Sequence, residues 1–336
     1  MLIEPIIAHR RALEEREDAV ALALARSFAQ IADALEPALT TLTQTLTEAG
    51  ATATPTWLRR QKDYQHLLAD ANAAYLAYGR QATTAIAAQH DAALAHGQRD
   101  AGALLTTSGV PPKPLTKRRQ GDLQVAMRRR LRAMRLPQSI AQLAVATLRE
   151  TLGTAVRGLL ALPTLITKAR EGLGQILVNV LRAARTEATT AYRAVVVAQF
   201  AATPGVTGWQ WAAELDKTPW PCAVCVAMHG QTFAADAPFG AHIGCRCLAL
   251  PVRDGVRPPI GEHGIAWFAR QPEAAQRAVL GKAKQRLYAA GELRLEQLVE
   301  VSDHPIYGVT RHERSLKALG LDYRTVVAPV VPAGSA

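Results

Sequence analysis

The sequence predicts a mainly α protein with a small α+β domain: long N-terminal helices, then a helical domain that holds a short antiparallel β element around a Cys/His cluster. Three observations predict it. The chain is rich in Ala and Leu and only 5% aromatic, a composition that favours helix. Apolar residues recur at steps of three and four over much of its length. One short stretch breaks that rhythm, with alternating aromatics followed by all four cysteines of the chain. With 49% of its 336 residues apolar, the chain can bury a sizeable core.

Residues 8–48 read as a long helix, because Phe28, Ile31, Leu35, Leu39, Leu42 and Leu46 fall on one face. Pro37 is expected to kink or interrupt it. After a break at residues 51–55, a second helix is expected from Thr56 to about His96, with Tyr64, Leu67, Leu68, Ala71, Tyr75 and Tyr78 facing inward. The short connection predicts an antiparallel pair. Pro111, Pro112 and Pro114 mark a linker. A short basic helix follows over residues 120–135, ended by Pro137, with Ser139 placed to cap the next. Residues 139–161 and 164–201 are again helical in pattern.

Residues 208–215 alternate and carry Trp209 and Trp211, which predicts a strand; residues 231–234 and 246–252 are further strand candidates. Helices are expected again over residues 264–270, 272–281, 283–290 and 294–301, with a last element over 311–319. The breaks divide the chain into a helical arm (1–107), a Pro-rich and basic linker (108–138), a helical domain (139–325) with the cluster at 216–252, and a disordered tail (326–336).

The net charge of +11 is unevenly spread. Residues 1–50 are net negative, with Glu14, Glu15, Glu17 and Asp18 close together. The positive excess is densest at Lys117, Arg118, Arg119, Arg128, Arg129, Arg130, Arg132 and Arg135. Such a run attracts polyanions, most commonly nucleic acid, and these eight residues are the candidate nucleic-acid contacts; a solvated helix face is the plainer alternative. No apolar run reaches the length of about eighteen residues that a membrane span needs, so no membrane association is expected. The N-terminus lacks the layout of a signal peptide, so the chain reads as cytosolic in origin.

The cysteines form the pattern Cys222-x2-Cys225, then His242-x2-Cys245-x-Cys247. Thiols gathered in this way hold a metal or form local disulfides, and a reducing cytosol favours metal, with zinc expected. Cys-x2-Cys presents two thiolates to one ion. Cys245 and Cys247, two apart on an expected strand, would point the same way, with His242 beside them. That is five candidate ligands for about four positions, and which of them is spare stays open. His229 and the acids Asp216 and Asp236 lie close in sequence. Pro221-Cys222-x2-Cys225 also matches half of the zinc deaminase signature. That chemistry needs a ligand two residues before a glutamate, and before Glu214 stands Ala212. No phosphate-binding loop, dinucleotide fingerprint, zinc-protease helix or nucleophile elbow occurs, so no catalytic residue is assigned and no enzyme is expected.

The order Arg185-Thr186-Glu187, Trp209 and Trp211, Asp216, Cys222-x2-Cys225, Gly230, Pro238, His242 and Cys245-Arg246-Cys247 resembles the phage head morphogenesis family, the minor head proteins similar to the F protein of phage Mu. The resemblance covers residues 160–320; over 1–150 it rests on helical character. It implies a structural minor capsid protein in the virion, at the capsid interior or portal vertex, assembled in the bacterial cytoplasm. The partners it implies are a portal protein, a major capsid or scaffold protein, and for some members double-stranded DNA. The alternative is a zinc-dependent nucleic-acid-binding module or a nucleic-acid-modifying enzyme.

Overall fold

A computed structural model describes residues 3–158, 160–215, 220–322 and 324. The protein is mostly helical, with a small antiparallel sheet, as the composition predicts. Helix α1 spans Ile3–Ala49, α2 Pro55–Arg60, α3 Lys62–Thr107, α4 Lys117–Ala133, α5 Leu136–Val156 and α6 Leu165–Ala202. Then come β1 (Val206–Ala212), α7 (Ala223–Met228), β2 (Thr232–Ala234), β3 (Leu248–Arg253), α8 (Gly264–Ala269), α9 (Glu273–Ala289), β4 (Val299–His304) and β5 (Gly308–Glu313). The expected tail (326–336) and Asp216 lie outside the described residues.

The chain falls into two compact units. One is built on Ala8–Ala93 and Gln124–Ala188, the other on Leu94–Leu123 and the residues from Thr189 onward. This differs from the consecutive arm, linker and domain read from the breaks. The boundaries fall inside α3, α4 and α6, because a long helix runs on past the packing face that defines a unit.

The helical unit has one continuous core. Phe28, Leu35, Leu39, Leu42 and Leu46 of α1 are buried and Ile31 partly so, as their spacing requires. The chain folds back so that the Phe28 ring sits 5.5 Å from Tyr75 and 5.6 Å from Tyr78 of α3. Helix α1 continues through Pro37 instead of breaking. Pro37 is on the exposed face, where the Asp33 carbonyl that loses its amide partner meets water. Helix α5 starts three residues earlier than Ser139, with Pro137 in its first turn, where a missing N–H costs little. Inside this unit Glu187 of α6 is fully buried. Arg130 of α4 donates from Nε to both carboxylate oxygens (2.8 and 3.0 Å), and His90 of α3 lies 3.3 Å away.

In the other unit, β1 is the centre of a sheet ordered β2-β1-β3, with both pairings antiparallel. The ladder sets Trp209 opposite Phe233 and Pro251, and Trp211 opposite Ala249. Trp209 and Trp211, two apart, bury on one face and stack with Phe233 and Phe239 at centroid separations of 4.1–5.0 Å. Gln210 points the other way and holds the Gly230 carbonyl and both backbone groups of Ile260. The break expected near Gly281 is present, with that residue at φ 71° inside α9. The helix expected over 294–301 is instead a 3-10 turn (Leu295–Leu298) leading into the β4–β5 hairpin, and the last element expected over 311–319 falls on the end of β5 and the turns after it. Val299, Val301 and Asp303 alternate with Glu300, Ser302 and His304, and Pro305 with Gly308 (φ 64°) turns the chain.

Candidate metal centre

Cys222 is the N-cap of α7, and its sulfur accepts from the Cys225 amide at 3.5 Å. The tight turn expected of Cys-x2-Cys is therefore the first turn of a short helix, buried along its whole length. The second pair is placed differently from the expectation. Cys245 and Cys247 precede β3, whose first residue Leu248 pairs with Ala212, so they are not on the strand. Gly244 (φ 76°) turns the chain between His242 and Cys245, and the Cys245 amide bonds the His242 carbonyl at 3.2 Å.

All five predicted donors come together. Cys222, Cys225 and His242 form one group that can hold a metal ion, and Cys225, Cys245 and Cys247 form another, with Cys225 shared. His242 Nε2 lies 3.1 Å from the sulfurs of both Cys222 and Cys225. Its Nδ1 is 2.8 Å from the Ile243 carbonyl oxygen. A carbonyl only accepts, so a proton sits on Nδ1 and Nε2 is the ring atom that faces the sulfurs, the one that would bind a metal. The sulfurs of Cys225 and Cys245 are 3.7 Å apart. A disulfide would require about 2.05 Å. A tetrahedron with metal–sulfur bonds of about 2.3 Å has edges of about 3.75 Å. All four cysteines are free thiols.

The electrostatics match this chemistry. A hydrogen bond from the Cys225 thiol lowers the Cys222 thiol to about 5, against the opposing effect of burial and with help from His242. Burial works against charge on Cys245, but thiol donors and the Arg193 guanidinium hold it well below the usual thiol range. The hydrogen bonds to its neighbours push Cys225 up, and burial pushes Cys247 up. Burial opposes charge on His242, yet its bonds to Cys222 and Cys245 raise it to about 11. The donors compete for protons because several anions cannot share one dry site, and a dication relieves that competition.

Residues remote in sequence hold the two halves in place. Arg193 of α6 is buried, donates to the carbonyl oxygens of Cys245 and Cys247 (both 2.7 Å) and reaches the Cys245 sulfur at 3.4 Å. The same guanidinium lies 4.6 Å from the Phe239 ring centroid. Arg311 of β5 donates to the carbonyls of Phe239 and Gly240 (2.9 and 3.0 Å), pinning the loop that carries His242. Glycine suits position 240 because its φ of 54° is left-handed and a Cβ would crowd the Val309 carbonyl oxygen at 3.0 Å. Sequence reasoning missed both arginines. A lone charge in the apolar run Ala191, Tyr192, Ala194, Val195, Val196 was the available signal for Arg193. His229 is turned to structure, its Nδ1 accepting the Ala213 amide at 3.0 Å.

The basic residues divide. Lys117, Arg118, Arg119, Arg128, Arg129, Arg132 and Arg135 are exposed. Arg130 is a correction, since its guanidinium is turned inward onto Glu187 and neutralises a buried carboxylate instead of facing solvent. Among the described residues, no helix is long and apolar enough to cross a membrane.

Fold and site together define a mainly α protein with a small antiparallel sheet and a buried Cys/His cluster able to hold a metal ion. No family model, no curated protein and no solved structure matches the chain.

Proposed function

We propose that the chain is a structural minor head protein of a phage or prophage, that it joins the portal protein during head assembly, and that its Cys/His cluster holds a structural zinc ion. The observation that supports this reading is the convergence of Cys222, Cys225, His242, Cys245 and Cys247, which form part of the pattern on which the sequence resemblance rests. Five donors for four positions leave no place for a metal-bound water, so the ion stabilises a fold instead of activating a nucleophile. Sulfur and imidazole in a tetrahedral arrangement suit zinc, whose ligands would be four of these five side chains. Around so small a sheet, metal binding supplies folding free energy directly.

Two tests apply. Metal analysis of protein purified without added metal is expected to find about one zinc per chain; iron, or no metal in a well-folded protein, overturns the zinc assignment. Co-expression with the portal and major capsid proteins of the same gene cluster is expected to place the chain on the portal and in heads. Heads that assemble and package normally without it, together with no association, overturn the assembly role.

Exposed basic residues on α4 favour one addition, contact with packaged double-stranded DNA. The same residues support a second reading, a zinc-dependent nucleic-acid module or enzyme. DNA cleavage or deamination lost in a folded Cys222→Ser protein would favour that reading over the assembly role.

A further inference from the structure

Within the helical unit, α2, α3 and α5 enclose an open groove of about 840 Å³. Its floor is formed by Leu58, Tyr64, Leu68 and Val145, all buried core residues that show one edge to the groove. Arg59, Arg149 and Arg157 stand around it and are exposed. Arg59 donates to the Thr56 hydroxyl and Arg157 to the Thr154 hydroxyl, both at 3.3 Å. None of the three arginines makes an ion pair among the described residues. The Arg157 guanidinium lies over Gly153, where a Cβ would stand 3.5 Å from it.

We infer that this groove docks an acidic, amphipathic helical segment of a partner protein. Three guanidinium groups converge on one concavity of a protein with net charge +11, so the occupant carries negative charge. Arginine matches a carboxylate bidentately, so the three suit Glu or Asp side chains of the occupant. The apolar floor decides between acidic protein and DNA. A phosphodiester strand gains nothing from Leu58, Leu68 and Val145, whereas the apolar face of an amphipathic helix does.

The probe is a fluorescein-labelled helical peptide with Leu along one face and Glu flanking it, read by anisotropy against the full-length protein. Saturable binding that weakens with salt is expected. It should fall about tenfold in Arg149→Glu/Arg157→Glu, where two favourable pairs become repulsive. The matched peptide with Gln for Glu is expected to bind more weakly by a similar factor. Unchanged helicity and metal content show that the variant is folded, and Arg149→Lys/Arg157→Lys, which keeps the charge, is expected to retain most of the affinity. Absence of saturable binding overturns the proposal, as does equal affinity for the Gln peptide. Double-stranded DNA that displaces the peptide and loses affinity in the same variant also overturns it, in favour of a nucleic-acid groove. The titration needs neither portal nor capsid, so it can fail while the assembly role stands, and succeed while that role fails.

Discussion

Arg193 Nε donates to the Cys247 carbonyl oxygen at 2.7 Å, and its Nη2 donates to the Cys245 carbonyl at the same distance. One helical side chain thus sets the backbone of half the candidate metal centre. Arg193→Ala is expected to leave two buried carbonyls unpaired, at about 1–3 kcal/mol each. Ligand placement should suffer too, lowering metal affinity about 10–100-fold. Chelator competition and denaturant titration of the same samples read the two effects. Arg193→Lys reaches only one carbonyl at a time and should recover little.

Glu187 lets the sign of a pH effect be worked out. Burial alone would raise its carboxyl, but the neighbouring His90 ring and the Arg130 guanidinium lower it below the ordinary value of 4.5. A carboxyl depressed in the folded state adds stability that is fully present above the unfolded value and is lost as pH falls through the folded one. The denaturation midpoint should therefore drop below about pH 4.5. Glu187→Gln should show a shallower acid limb and, at neutral pH, a loss of about 3–5 kcal/mol from stranding Arg130. Equal acid limbs in the two proteins would contradict the assignment.

Replacing a helical glycine by alanine ordinarily stabilises by about 1 kcal/mol. Gly79 of α3 should reverse that sign, because a Cβ there would meet Pro137 Cα at 2.4 Å. Overpacking against backbone costs about 1–3 kcal/mol, so Gly79→Ala is expected to be net destabilising. Gly174, inside α6 with nothing within 4 Å, is the control and should gain stability on the same change.

Neighbouring arginines on α4 should behave in opposite ways. Arg128→Ala/Arg129→Ala removes exposed charge and should leave the fold intact while reducing the salt dependence of DNA binding by about 1–2 in slope. Arg130→Ala should lower the melting temperature, since it uncovers the buried Glu187 carboxylate. A melting temperature unchanged in the Arg130 variant would return that residue to the basic surface.

Much of the fold was legible because its signals are local. The buried face of α1 and the inner face of α3 follow from helical spacing, and the inward pair Trp209 and Trp211 follows from strand alternation. The β4–β5 hairpin was not legible, and the start of β4 reads as helix, because its alternation is short and its strands are only half covered, so no strongly apolar face announces them. The metal donors were legible as a set, since thiols and imidazole at close spacing are chemically distinctive. Their placement off β3, and the two arginines that position them, were not.

By itself, the sequence determined the helical class, the approximate positions of the three sheet strands and the set of five candidate donors, because each depends on neighbours a few residues away. Tertiary structure alone decided that Arg193 and Arg311 hold the Cys/His cluster, that Arg130 turns inward onto Glu187, and that three arginines gather around one groove. The physical reason is the same in each case. Long side chains choose partners by proximity and burial, and the folded chain brings together residues 52 or more positions apart that no local period relates.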